Sequence, residues 1–398
     1  MTQVQRIDSE LDSKRGWLVA LAAATSTFAV FGVAYSFGAF FNSMSDEFGV
    51  GSGQTAFFFS ATISLSFVLG LFTGRWADRV GPRPVLLAAA ASISVGLLAT
   101  AAAQNIWVGY LTYGVGVGFA VACGYVPMVA TVGGWFERQR ATALGVAVAG
   151  IGLGTMVGSP AAARLIDATS WRTTYVIFAI VSASLLLLAS TVAEHGPAAQ
   201  PTATPRSLIE LLRHRDFLLL YGSATFTTLA LFVPFVFLAD YAEERGVSSL
   251  RAAVLVGVIG GSSVIGRLGL GTLADRIGIM RLYVGSFVVM AASHFIWLTA
   301  DGRYSQLVVY AAVLGLGYGG FIALSPAVVA ERFGLEGLGG ILGTLYTAAA
   351  IGSLCGPPAA GVLIDEFGYS TAIWSAAVCS IAGALALFPL LRISPEAS

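Results

Sequence analysis

The stretches "TGRWADRVG" (73–81) and "LGTLADRIG" (270–278) carry Gly, Ala, Asp, Arg and Gly at the same five places, 197 residues apart. A second pair, "GSPAAARLID" (158–167) and "GPPAAGVLID" (356–365), lies at a separation of 198. Two independent matches at one spacing mark a duplicated unit. Each copy is embedded in apolar sequence: of 398 residues 57% are hydrophobic and 11% charged, and mean hydropathy is +0.82. Soluble domains carry about 25% charged residues. Uninterrupted runs of about 20 apolar residues suit membrane-crossing helices, whereas barrel strands would alternate in polarity.

The expected fold is therefore all-α and integral to a membrane, with twelve helices in two pseudo-symmetric six-helix bundles. Apolar runs bounded by charges and turn residues place them at 17–43, 54–75, 83–103, 106–135, 139–166, 171–193, 215–240, 250–272, 280–300, 304–331, 337–364 and 370–391. The units are 1–193 and 215–398, joined by a Pro-, Ala- and Thr-rich linker at 194–214. The first 14 residues are polar and the apolar stretch after Trp17 is longer than a signal core, so the N-terminus is expected to be retained.

Fifteen of the 21 Lys and Arg residues fall in the segments on the N-terminal side of the bilayer and five on the other, with Arg267 left over inside a span. The positive-inside rule then puts both termini in the cytoplasm and the chain in the cell (inner) membrane. Zero net charge without a basic tail gives no sign of a nucleic-acid partner. Cys123, Cys355 and Cys379 lie in apolar helices without ligand spacing and read as small core residues. No metal or cofactor motif is present, and no Ser/His/Asp grouping or HExxH that would mark a membrane-embedded enzyme. A membrane sensor would be expected to carry an extra soluble domain, and none is expected from these apolar runs.

The repeated motif consists of Gly74, Asp78, Arg79, Gly81 and Arg83, echoed by Gly271, Asp275, Arg276 and Gly278. Glycines permit a tight turn, the aspartate can cap a neighbouring helix, and the arginines face anionic headgroups. In this setting the pair resembles the signature of the major facilitator superfamily, which implies a conformational latch. "WFERQRATALGVAVAGIGLG" (135–154) resembles the narrower signature of the monocarboxylate transporter family, although Gln139 splits its basic pair. "SKRGWLV" keeps only Gly16 and Trp17 of that family's other motif and lacks its acidic start, as in a bacterial member rather than the animal branch. Gly145, Gly150, Gly154 and Gly158 are small-residue steps that let the fifth helix approach a neighbour closely.

The resemblance implies alternating access around a site at mid-membrane. Arg267 matches the family's substrate-binding arginine on the eighth helix. It lies about 6 Å deeper than Gly271 at ~1.5 Å per residue, and its counterpart in the first unit is Gly70. The repeat thus needs no cation there to fold. A guanidinium presents a planar fork to a carboxylate and keeps its charge; the competing readings are snorkelling to the interface or pairing with Asp275.

Tyr35, Tyr125, Tyr318 and Tyr346 stand on helices that line the cavity in this fold, so each is a candidate substrate contact or a packing residue. "GILGTLYTAAAIGSLCGPPAAGVLID" (340–365) has no second cation of the kind dicarboxylate carriers would be expected to offer, which points to a single carboxylate.

The family lysine on the first helix has no equivalent, and Ser263 stands where its aspartate would be. Proton coupling is thus implied by resemblance without an identifiable relay. The expected partners are a small carboxylate such as lactate or pyruvate, protons and the lipid bilayer, with the chain a monomer. The competing function is export of drugs or other solutes; "GTMVGSPAAAR" (154–164), with Ser159 splitting its Gly-Pro pair, departs from the antiporter motif.

Overall fold

A computed structural model describes residues 11–197, 211, 213–334 and 338–391; for Gly271, Thr272, Asp275, Leu338 and Gly339 it describes the backbone course alone. Twelve helices are long and apolar enough to cross a membrane. They are α1 (Lys14–Phe48), α2 (Ser52–Val80), α3 (Pro82–Ala101), α4 (Ile106–Gly133), α5 (Arg140–Ala168) and α6 (Trp171–Ser190). The second set is α7 (Arg215–Glu243), α8 (Ser249–Ile277), α9 (Ile279–Ala300), α10 (Tyr304–Phe333), α11 (Leu338–Phe367) and α12 (Tyr369–Leu391).

Several helices outrun their apolar cores. α2 continues through the polar "RWADR" to Val80 and α8 continues to Ile277. Hydropathy marks the part of a helix that sits in lipid, whereas the helix itself stops where the backbone turns. Both stops are glycines in the positive-φ region, Gly81 at φ +92° and Gly278 at φ +98°, a conformation costly for any side chain. The repeated motif is therefore the same turn made twice.

The duplication extends to packing. Gly154 of α5 presses on the Phe28 carbonyl and Gly158 on Gly32, both of α1; Gly352 of α11 presses on Thr225 and Thr228, and Gly356 on Leu229, all of α7. A Cβ at any of these four would lie 2.1–2.4 Å from its nearest neighbour. The close neighbour of Gly150, Gly154 and Gly158 is thus α1, inside the same unit; Gly145 instead faces Leu268 of α8. α1 and α7 are each interrupted, at Tyr35–Ser36 and at Phe232. Ser36 Oγ donates back to the Val33 carbonyl at 2.8 Å, and Pro234 follows the second break without an N–H to give.

Of the cysteines, Cys123 is buried, but Cys379 is partly exposed and Cys355 is exposed on α11, which corrects the reading of all three as core residues. An apolar bilayer suits a small thiol on a helix exterior as well as a core does, so hydropathy could not tell the two apart.

The two ends of the bundle differ. The face carrying the Gly81 and Gly278 turns is here the motif face. There the N-terminal arm covers the loop between α4 and α5: Trp17 packs edge-on against Phe136 at 5.0 Å, and Asp12 accepts from the backbone N–H of Arg138 and Gln139. Slight desolvation of Asp12 is outweighed by those donors, which hold its carboxyl below the usual range. In the second unit the Arg332 side chain, 5% exposed, pairs with Asp216 at 3.2 Å and donates to the Leu390 carbonyl, tying α10, α7 and α12 together. Asp216→Ala leaves that guanidinium without its counter-charge and is expected to lower stability by about 3–5 kcal/mol, read as a drop in melting temperature of the detergent-solubilised protein.

At the far face the two units close on each other. Asn42 of α1 donates to Glu243 of α7 at 3.2 Å, the Ser52 N–H donates to Asp365 of α11 at 2.9 Å, and Gly38 seats against the Phe235 carbonyl.

Candidate functional site

α8 is held between α5 and α10 by glycines on both neighbours. Gly152 of α5 lies against the Gly260 carbonyl, and Gly319 of α10 lies against the Ser263 carbonyl and the Arg267 N–H. With backbones this close, a long side chain on α8 at this level has little room outside the bundle centre. Arg267 is 4% exposed, so it does not snorkel to an interface. Its Nη1 donates to the Val148 carbonyl of α5 at 2.5 Å, while Nε and Nη2 are buried and have no protein partner among the described residues. The Asp275 side chain lies outside the described set.

Nε and Nη2 form one edge of the guanidinium, the edge that matches the two oxygens of a carboxylate. A buried donor left unpaired costs about 1–3 kcal/mol, more when charged. That edge is left unpaired, while Val148 fixes the orientation of the opposite side.

Of the four candidate tyrosines, which stand on α1, α4, α10 and α11, Tyr318 meets this cation directly. The guanidinium carbon sits 5.4 Å from the centre of the Tyr318 ring, a cation–π contact. The Tyr318 hydroxyl lies 3.2 Å from that of Tyr35. Tyr125 meets Phe31 edge-on at 5.5 Å, and Tyr346 meets Phe67 with ring centres 6.0 Å apart.

Beyond Tyr35, Phe59, Phe232 and Phe235 approach its ring within 4.6–6.4 Å and plug the route to the far face. On the other side Tyr125, Tyr346 and Phe67 are half-buried though deep in the bundle, as walls of a cavity would be. The sequence reading did not single out these phenylalanines or the Val148 carbonyl. One signal was available: Tyr35 and Phe232 are 197 residues apart, the repeat spacing, and both sit at helix breaks.

The motif residues stand elsewhere. Asp78, Arg79, Arg83 and Arg276 are exposed at the motif face, and Gly74 packs beside Val126 of α4. Ser263 is buried and donates to the Gly260 carbonyl at 2.7 Å. Among the described residues no His, Cys, Asp and Glu cluster is placed to hold a metal ion.

Two interlocked sets of spanning helices, closed at one face around a buried, partly unpaired cation, define a membrane carrier. The Major Facilitator Superfamily profile matches residues 23–301 and 270–398, and the chain belongs to that superfamily of transporters. It is 30% identical over 372 residues to monocarboxylate transporter 4 of Mus musculus, covering 89% of this chain and 78% of that protein. It is also 30% identical to monocarboxylate transporter 3 of Rattus norvegicus, over 89% of this chain and 75% of the relative. Aspyridones efflux protein apdF of Emericella nidulans is 26% identical over 94% of this chain and 77% of its own length.

Proposed function

We propose that the protein moves organic monocarboxylates across the cytoplasmic membrane by alternating access, together with a proton, with the motif face in the cytoplasm. The observation that carries the reading is the unpaired Nε–Nη2 edge of Arg267, buried at the centre of the bundle. It offers two parallel donors to one carboxylate, and the surrounding tyrosines offer hydroxyls and ring faces to the rest. In this reading the repeated turns at Gly81 and Gly278 act as the latch, and the 15-to-5 distribution of cationic residues sets the orientation. With no acid at position 263, the substrate carboxylate itself can carry the proton, its affinity for it set by Arg267 and by loss of water.

The efflux relative keeps a second reading open, net export of an organic solute. Proteoliposomes of the purified protein separate the two: labelled lactate and pyruvate, beside dicarboxylates and neutral solutes, are offered with and without an imposed pH gradient. Monocarboxylates are expected to accumulate toward the alkaline side, with dicarboxylates excluded. A dicarboxylate preference would overturn the single-carboxylate reading, and indifference to the gradient would remove the proton.

A further inference from the structure

The two copies of the sequence repeat end differently at the far face. In the second copy, "GPPAAGVLID" (356–365), the closing aspartate reaches across the boundary between the units: Asp365 of α11 accepts from the Ser52 N–H of α2 at 2.9 Å. Ser52 is the first residue of α2, and the N-cap position before it is Gly51, which has no side chain to cap its own helix. A Cβ on Gly51 would lie 2.7 Å from Asp365 Oδ2, so the carboxylate of the other unit occupies the place an own-chain cap would take. Glycines also bring the two helices together there. A Cβ on Gly361 would lie 2.5 Å from the Gly53 nitrogen, and one on Gly53 would lie 3.0 Å from the Pro358 carbonyl.

The opposite flank, between α5 and α8, is not built this way. In the first copy, "GSPAAARLID" (158–167), Ala163 stands at the place of Gly361. At the repeat spacing, α8 has Ser248 and Leu250 where α2 has Gly51 and Gly53. Asp167, the counterpart of Asp365, is exposed and makes no hydrogen bond or ion pair among the described residues. The residues that differ between the copies are thus the ones that seat Asp365 on α2.

We propose that Asp365 is a one-sided catch for closure at the far face, a helix cap that one unit supplies to the other. While α11 holds α2, the first N–H of α2 and the positive end of that helix are met by a carboxylate. When the units part, both groups return to water. The closed state is therefore favoured by a charge-assisted hydrogen bond made in that state alone. The inference rests on the alternating-access part of the proposed function and is independent of the substrate.

The test uses the full chain carrying Cys355→Ser and Asn42→Cys, purified in detergent so that both faces meet the reagent, and reads the rate at which the new cysteine reacts with a polar maleimide. Asn42 bonds across the closed far face to Glu243, so its position reports on opening there. Asp365→Ala is expected to raise the rate about two- to tenfold, the order of a lost helix cap at an exposed site. Asp365→Asn keeps an acceptor at the same place and should raise it less. Gly51→Ser is the second variant. The backbone at Gly51, φ −73° and ψ 168°, suits a serine cap, so α2 is capped from its own chain and melting temperature holds. The Asp365 carboxylate is displaced all the same, and the rate should rise as in Asp365→Ala, with little added when the two are combined. Asp167→Ala should leave the rate unchanged. Rates unaltered by both Asp365→Ala and Gly51→Ser, or raised equally by Asp167→Ala, would overturn the inference. In that event a rate that still responds to added pyruvate leaves alternating access standing, and one that does not respond removes the proposed function as well.

Discussion

Arg267→Ala is expected to reduce carboxylate uptake by about 100-fold or more while leaving thermal stability unchanged or slightly raised. The two effects have one origin. In the ligand-free protein, Nε and Nη2 are buried donors without protein partners, so the native fold carries their desolvation cost. Truncation removes that cost along with the Val148 hydrogen bond. With substrate bound, the same edge makes a charge-assisted, two-point contact whose loss costs about 2–5 kcal/mol, or roughly 30- to several-thousand-fold.

Arg267→Lys should also fail, losing at least about tenfold, because one ammonium cannot serve Val148 and both carboxylate oxygens in the same plane. Uptake per folded protein and melting temperature are the two readouts. A residue kept for packing would show the reverse pattern, a fall in melting temperature with uptake preserved, and that result would remove Arg267 from the site.

How far the sequence reaches follows from which physical signals a chain displays. Twelve spans were legible because lipid requires unbroken apolar runs, and Arg267 was legible because a cation in such a run stands out. The repeat was legible at 73–81 and 270–278, and the structure extends it to backbone angles at Gly81 and Gly278 and to packing at Gly154 and Gly352. Less could be read where the signal belongs to the backbone. Val148 orients Arg267 through a carbonyl, which every residue type has. The break at Tyr35–Ser36 lacks a proline, so the run 17–43 reads as one helix. Phe67 was one of 25 phenylalanines until Tyr346 was placed opposite it. Trp17 and Phe136 belong to two stretches 119 residues apart, and only the fold brings their rings to 5.0 Å.

Gly152→Leu should impair transport nearly as severely, through conformation rather than binding. At Gly152 and Gly260 the two units touch backbone to backbone, as they also do at Gly38 and at Gly361: a Cβ on Gly152 would lie 2.5 Å from the Gly260 carbonyl, and one on Gly260 would lie 2.6 Å from the Gly152 carbonyl. Backbone atoms cannot swing aside, so α5 and α8 must separate. Overpacking of this kind costs about 1–3 kcal/mol, and each 1.4 kcal/mol shifts a two-state population about tenfold. The state penalised is the one described here, in which α1 and α7 are closed at the far face.

The variant is therefore expected to populate a form open at that face. Val148 and Arg267 lie on these two helices, so their hydrogen bond is strained by the same separation. Asn42, which bonds across the closed face to Glu243, provides the reporter: in a Cys355→Ser background, Asn42→Cys should react several-fold faster with a membrane-impermeant maleimide when Gly152→Leu is present. Gly145→Ala is the control, because a Cβ there meets only the Leu268 side chain, at 3.3 Å, and that side chain can yield. If Gly152→Leu leaves both labelling and uptake unchanged, the α5–α8 backbone contact does not favour the state closed at the far face.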